Sequence, residues 1–344
     1  MKRVLTVLMV LVMALAMLTA CGAPATESVS SAPSESAATS ESATEATSPA
    51  PTAAYGEDNP LTVATLAGPT GMGMIELFDN PAYEVSLLTT PDQISPKIIS
   101  GEATVATIPS NLAAVLYNKM KGGIKIVSVN TMGVLYIVEN GDTVNSIEDL
   151  AGKTIYATAQ GSTPEYVLNK ILKENGLDDV TVEFMGAHAD LANAVAAGDV
   201  TLALLPEPFV SAVLAQNSDV SVKLDINKEW QKIFGDDAGM PMGVTVVSSA
   251  FAQDQASMNQ LIADYTASVN YVTSDADGAA KAIVAKQIVG AEPVAKAAIP
   301  RCGLSFITGE ECKAILNDYF QMMFESNPES LGGAMPDDGI YYMP

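Results

Sequence analysis

Gly101-Glu102-Ala103-Thr104-Val105-Ala106-Thr107-Ile108-Pro109-Ser110-Asn111 decides the fold, because the chain repeats its pattern as Gly198-Asp199-Val200-Thr201-Leu202-Ala203-Leu204-Leu205-Pro206-Glu207-Pro208. In each copy a glycine and an acid close a helical stretch, a short apolar β-prone run follows, and a proline stands eight positions after the glycine. The order predicts helix, turn, buried strand, then a loop that opens a further helix. Each copy is a candidate for the loop at the carboxyl end of a parallel strand, where open α/β sheets bind ligands.

The likeness continues outward. Leu61 to Leu66 reads as a strand followed by a turn over 67–73, and the stretch from Lys153 as a strand followed by a turn at Gln160 to Thr163. The turn leads into a helix over 164–173, with Thr163 expected as its N-cap and Pro164 in the first helical position. Ile94 and Ile98 sit at helical spacing ahead of Gly101, as Leu191 and Val195 do ahead of Gly198, and Asp92 reads as an N-cap. A repeated strand, helix, helix, strand order predicts two similar α/β lobes. Met132-Gly133-Val134 and Met242-Gly243-Val244 each stand ahead of a strand, and with lobe 1 left near Asn140 to Ile147 and regained near Gly239 to Gly243 the chain would cross twice, hence a hinge. The expected division is lobe 1 over 57–143 and 240–344, and lobe 2 over 144–239. Helical runs over 258–272, 276–289, 291–299 and 310–324 would cover the first lobe.

A chain of 344 residues, 48% of them hydrophobic, suffices for two lobes with sizeable cores. The formal charge of −23 excludes a nucleic-acid partner, which would require clustered lysine and arginine. Lys2 and Arg3 followed by an apolar run from Val4 to Ala20 read as a signal peptide over 1–20 rather than a transmembrane helix, since small residues close the run and no charged stop follows. Residues 21–56, rich in Ser, Ala, Thr, Glu and Pro, cannot bury enough apolar surface to order themselves and read as a tether.

Leu18-Thr19-Ala20-Cys21 resembles the bacterial lipoprotein lipobox, which implies that Cys21 carries lipid and holds the protein on the extracytoplasmic face of the cell membrane. That assignment leaves Cys302 and Cys312 as the pair available for a disulfide, with two free thiols the alternative. Two cysteines and one histidine make no convincing metal site. Gly68-Pro69-Thr70-Gly71-Met72-Gly73 lacks the Gly-Lys-Ser/Thr of a phosphate-binding P-loop, and Gly-x-Ser-x-Gly is absent.

With the repeat, the crossovers and Ile147-Glu148-Asp149-Leu150-Ala151-Gly152-Lys153-Thr154 in view, the chain resembles the substrate-binding lipoproteins of bacterial ABC importers over about 60–342. It is similar in particular to the group that binds aliphatic sulfonates, nitrate, taurine and thiamine-pyrimidine precursors. The resemblance implies a type II periplasmic-binding-protein fold, two α/β lobes closing on a small molecule, and a membrane permease as partner. A monomer without cofactor or metal is the expectation.

The loops at strand ends supply the candidate ligand-binding residues. They are Gly68, Pro69, Thr70, Gly71 and Met72; Pro109, Ser110 and Asn111; Thr131, Met132 and Gly133; Gln160, Gly161, Ser162 and Thr163; Pro206 and Glu207; Met242 and Gly243; and His188, the only histidine. Several of these loops open helices, whose free N–H groups and positive dipole ends suit an anion or a carbonyl-rich ring. Glu207, set between prolines, would instead favour a cation and oppose a sulfonate. Tyr136 and Trp230 are candidates for stacking on an aromatic ligand, and Met72, Met132, Met240 and Met242 for a soft lining. A solute receptor that closes on its ligand explains these features without chemistry. An enzyme on the same fold would need a reactive set that one histidine and no cleft cysteine cannot supply. A surface lipoprotein acting by protein contact is the remaining alternative.

Overall fold

The computed structural model describes residues 54–236 and 238–344; the expected signal peptide, Cys21 and most of the tether lie outside the described residues. The first lobe opens with β1 (Leu61–Leu66), α1 (Pro69–Gly73), β2 (Tyr83–Leu88), α2 (Pro91–Ser100), β3 (Val105–Pro109), α3 (Ser110–Lys119) and β4 (Ile124–Met132). The second contains β5 (Leu135–Asn140), β6 (Thr154–Ala157), α4 (Thr163–Glu174), β7 (Thr181–Phe184), α5 (His188–Ala197), β8 (Leu202–Pro206), α6 (Phe209–Gln216), β9 (Val220–Asp225) and α7 (Ile226–Phe234). The chain returns through β10 (Pro241–Ser248), α8 (Gln255–Ser274), α9 (Ala276–Ala285), α10 (Glu292–Ala298), β11 (Leu304–Thr308) and α11 (Gly309–Ser326).

The strands form two sheets, β11-β4-β10-β3-β1-β2 and β7-β6-β8-β5-β9. In each, a parallel trio (β2-β1-β3 or β7-β6-β8) meets one antiparallel strand delivered by a crossover from the other lobe, β10 or β5. The two Met-Gly-Val echoes fall at these strands: Gly133 precedes β5, and Gly243 lies within β10, opposite Pro109 of β3. The repeated stretch therefore occupies equivalent places, β3 and β8, beside the incoming strand.

Both repeated strands are buried on both faces. Along β8, Leu202 and Leu204 pack with Ile155, Val167, Leu168 and Ile171, while Ala203 and Leu205 pack with Leu191, Val195, Val210 and Val213. The two-residue side-chain period of a strand divides one apolar run between two helix layers. Gly101 and Gly198 end α2 and α5 with φ of 77° and 84°, left-handed values that cost glycine little.

Several expectations are corrected. The passage into the second lobe falls at Gly133 and Val134, not near residue 143, because β5 pairs with β8 and β9. Order begins before residue 57: the Ala54 N–H donates to Ser257 Oγ at 2.8 Å, and the Tyr55 and Tyr83 hydroxyls share a 2.8 Å hydrogen bond. Asp92 is not the N-cap of α2; Thr90 holds that position, and Gln93 Oε1 accepts from the N–H groups of Thr89 and Thr90. Ser162, not Thr163, is the N-cap residue of α4. Cys302 and Cys312 are free thiols. They lie in separate apolar clusters, Cys302 with its sulfur 3.8 Å from Met72 Sδ and Cys312 beside Leu316 and Tyr319.

At the crossovers the two connecting strands touch. Gly133 N–H donates to Met240 O at 3.0 Å, and Trp230 Nε1–H to Gly239 O at 3.2 Å. A Cβ on Gly133 would lie 2.4 Å from Asn227 Cβ, so this glycine is required by the close approach of α7.

Candidate functional site

The strand-end loops of both lobes enclose a recess of about 190 Å³. Lobe 1 contributes Gly68, Pro69, Thr70, Pro109, Thr131, Met242 and Gly243, and lobe 2 contributes Ser162, Thr163, His188, Pro206 and Glu207. A second recess of about 410 Å³ shares Pro109, Ser162 and His188 with the first and adds Asn111, Gln160 and Gly161. Leu66, Val134, Leu135 and Phe209 line the first recess and Thr89 and Pro91 line both, none of them among the candidate ligand-binding residues read from the sequence. They follow from two features without a strong local signal: β2, whose neighbours bring 89–91 to the cleft, and the early crossover, which brings Val134 and Leu135.

Gly71, Met72, Ser110, Met132 and Gly133 line neither recess. Met72 is fully buried in α1, Ser110 Oγ–H donates to Pro241 O at 2.6 Å, and Met132 and Gly133 belong to the crossover. Tyr136 and Trp230 are also absent from both. Trp230 is 1% exposed with its ring centroid 4.5 Å from that of Phe234 and 6.0 Å from that of Tyr319, and the Tyr136 hydroxyl donates to Arg301 O at 3.2 Å. Of the four methionines, Met242 alone reaches a recess.

Helix starts converge on this space. Pro109 precedes α3, Ser162 precedes α4, His188 opens α5 and Pro208 precedes α6. The first turns of α3, α4 and α5 carry no side-chain cap from their N-cap residue, whereas α7, α8 and α9 are capped by Asp225, Asp254 and Asp275 away from the cleft. Unpaired N–H groups at converging helix starts make a field that favours electronegative groups. Among the described residues, no lysine or arginine lines either recess, and Glu207 and Asp92 are the acids that do.

Glu207 does not present a free carboxylate. It is fully buried, and Arg301 of lobe 1 reaches it with Nε 2.5 Å from Oε1. Ser211 supplies its N–H to Oε2 at 3.0 Å and its hydroxyl to Oε1 at 3.0 Å, and Arg301 Nη2 donates to Ser211 Oγ at 2.7 Å. The cation preference expected from Glu207 alone therefore does not follow.

His188 shares a hydrogen bond between Nδ1 and Thr158 Oγ1, and its ring centroid stands 5.3 Å from that of Phe209. Burial pulls its pKa down from 6.5 to about 4, so the imidazole is neutral at physiological pH. Nδ1 being engaged, Nε2 is the ring nitrogen left for a solute.

Residues 83–237 match the family described as ABC transporter, phosphonate, periplasmic substrate-binding protein. Among solved structures, an ABC transporter from Parabacteroides distasonis aligns with a TM-score of 0.70 at 21% identity, covering 82% of this chain and 98% of that one. The periplasmic aliphatic sulphonate binding protein SsuA from Escherichia coli aligns at 0.61 and 16%, covering 81% and 92%. A putative nitrate transport protein from Thermoplasma volcanium aligns at 0.51 and 15%, covering 78% and 94%. The curated proteins contain no match. Among the described residues no helix is long and apolar enough to cross a membrane. Over residues 83–237 the chain is similar to the ABC-transporter periplasmic substrate-binding proteins, and its two-lobed α/β fold is the one that these solved structures share.

Proposed function

We propose that the protein is a lipid-anchored extracytoplasmic receptor that takes a small polar solute between its lobes and delivers it to an ABC permease. The solute class is a sulfonate, a nitrate-like oxyanion or a pyrimidine of the thiamine-precursor type. One observation carries this reading: a recess enclosed by strand-end loops of both lobes, into which helix starts converge and which, among the described residues, no lysine or arginine lines. Ser162 lines the same space, whereas the hydroxyls of Thr70, Thr131 and Thr163 donate to Leu66 O, Asn130 Oδ1 and Asn111 Oδ1, so a bound head group would be held chiefly by N–H donors rather than by ion pairs. Apolar groups such as Leu135, Phe209 and Met242 suit a short hydrocarbon body. Ligand binding would draw the lobes together about the Gly133 crossover, and the closed form would be the one the permease recognises. The protein would act as a monomer, held by lipid on Cys21.

A thermal-shift panel of alkanesulfonates, alkylphosphonates, nitrate, aminopyrimidines and amines tests the ligand class. A true ligand at a hundred times its dissociation constant stabilises by about 2.7 kcal/mol. Silence across the panel, with no compaction in small-angle scattering, would reject the receptor reading. Mass spectrometry of the membrane-derived protein tests the anchor: a diacylglyceryl group on Cys21 is expected, and a chain beginning elsewhere overturns it.

A further inference from the structure

Arg301 occupies an unusual position relative to the cleft. Its backbone stands between α10 and β11 in lobe 1, and Tyr136 of lobe 2 donates to its carbonyl at 3.2 Å. Two residues on, Gly303 takes φ of 54° and its carbonyl accepts from Met132 N–H at 2.8 Å; a Cβ there would lie 1.9 Å from Met132 O. The chain is thus pinned to the crossover, and the Arg301 side chain extends from that anchor to Glu207. Arg301 lines neither recess, while Glu207 lines the first. The Arg301 side chain is 33% exposed and that of Glu207 0%, so the cation reaches the acid from the solvent side, while Glu207 belongs to the wall of the first recess.

Charge balance gives this geometry its consequence. A buried carboxylate in a cleft wall repels an oxyanion and draws a cation, and the converging helix starts do the reverse. With Glu207 uncompensated, the two influences oppose each other. With Arg301 against it at 2.5 Å and Ser211 donating twice, the acid's charge is cancelled at its own oxygens and the helix starts prevail. Building on the solute-receptor reading above, we propose that Arg301 is a specificity-determining residue of the cleft. It never touches the solute; it positions and neutralises Glu207, and so sets selectivity for an oxyanion over a cation.

The test measures thermal stabilisation and dissociation constants for two probe sets, the oxyanions ethanesulfonate, methylphosphonate and nitrate, and the cations ethylamine and choline. The wild-type protein is expected to respond to at least one oxyanion and to neither amine. R301M should weaken that oxyanion by about tenfold or more and gain a response to an amine, since truncating one member of a buried charge pair leaves the other unpaired. E207Q/R301M should recover oxyanion binding and lose the amine response, an inversion that a purely structural role of Arg301 would not produce. E207Q alone, which keeps the guanidinium uncompensated behind the wall, should bind the oxyanion more tightly than wild type. It carries the test if R301M does not fold. Unchanged preference in R301M, or in E207Q where R301M is unfolded, overturns the proposal. If the wild-type protein answers to neither probe set, the oxyanion reading fails by itself. The role of Arg301 is then decided by whether R301M gains an amine response that E207Q/R301M lacks.

Discussion

Thr163 Oγ1–H donates a 3.0 Å hydrogen bond to Asn111 Oδ1, so that the first residue of α4 in one lobe is tied to the second residue of α3 in the other. The Asn111 amide is also engaged on its donor side, with Nδ2–H to Ser330 O at 3.3 Å. Asn111 is 6% exposed and Thr163 1%. Two of the side chains that read as candidate ligand contacts in the sequence therefore satisfy each other across the lobes, close to the helix starts that face the recess.

Replacing Asn111 by alanine should favour opening. The variant leaves the Thr163 hydroxyl without its acceptor, a loss of about 1–2 kcal/mol for a buried neutral hydrogen bond, and the cost falls on the closed arrangement alone. N111A is expected to show a larger radius of gyration without ligand and a solute affinity about tenfold weaker. Equal radii and equal affinities would show that the bond does not contribute to closure.

The crossover gives a second expectation. G133A places a Cβ 2.4 Å from Asn227 Cβ, closer than two carbons can stand, so α7 or the connecting strand must shift. Overpacking of this kind costs about 1–3 kcal/mol. N227G removes the atom that clashes at a cost of about 1 kcal/mol for glycine in a helix. In a double-mutant cycle by chemical denaturation, the combination should be more stable than the sum of the single changes by about 1 kcal/mol or more. Simple additivity would mean that the clash is relieved in another way.

The repeat was legible because its signals are local: apolar runs bounded by glycine and proline, and isoleucine or leucine at helical spacing. From them came the two lobes, β1, β3, β6 and β8, and the four helices after Ser249. What stayed hidden was pairwise and distant. β5 reads like any strand after β4, and only its partners Ala203 and Val222 reveal that it belongs to the second sheet. Glu207 stood out through its flanking prolines, but neither its burial nor its neutralisation by Arg301, 94 positions away, had a local sign. Asn111 and Thr163 were rightly placed near strand ends; which partner each would choose is set by the meeting of the lobes.

The two cysteines offer a direct chemical check. Cys302 is 0% and Cys312 2% exposed, and burial pushes the thiol of Cys302 well up and that of Cys312 to about 12. Thiolate is the reactive form, so both should resist iodoacetamide in the folded protein at pH 8. After unfolding without reductant, the peptides carrying Cys302 and Cys312 should each gain one carbamidomethyl group. A peptide pair linked by a disulfide, appearing only without reductant, would contradict the free-thiol arrangement.

His188 makes stability depend on pH in a predictable direction. In the unfolded chain its imidazole titrates near 6.5, whereas in the fold burial lowers it to about 4. Between these values the unfolded state holds the extra proton, so stability is at its full level above pH 6.5 and is lost as pH falls toward 4. The ring is partly accessible at the cleft, which reduces the effect, and about 1–3 kcal/mol is the expected loss. H188Q cannot take up that proton. Urea denaturation of wild type and H188Q from pH 7.5 to 4.5 should therefore show the wild type losing that amount relative to the variant, since the carboxylates titrate in both. A difference that stays constant with pH would mean that the imidazole is solvated and titrates normally. The same neutrality bears on the solute. Because the ring carries no charge at pH 7, it can steer a bound molecule only through a hydrogen bond, and affinity for an oxyanion in wild type should be flat between pH 6.5 and 8.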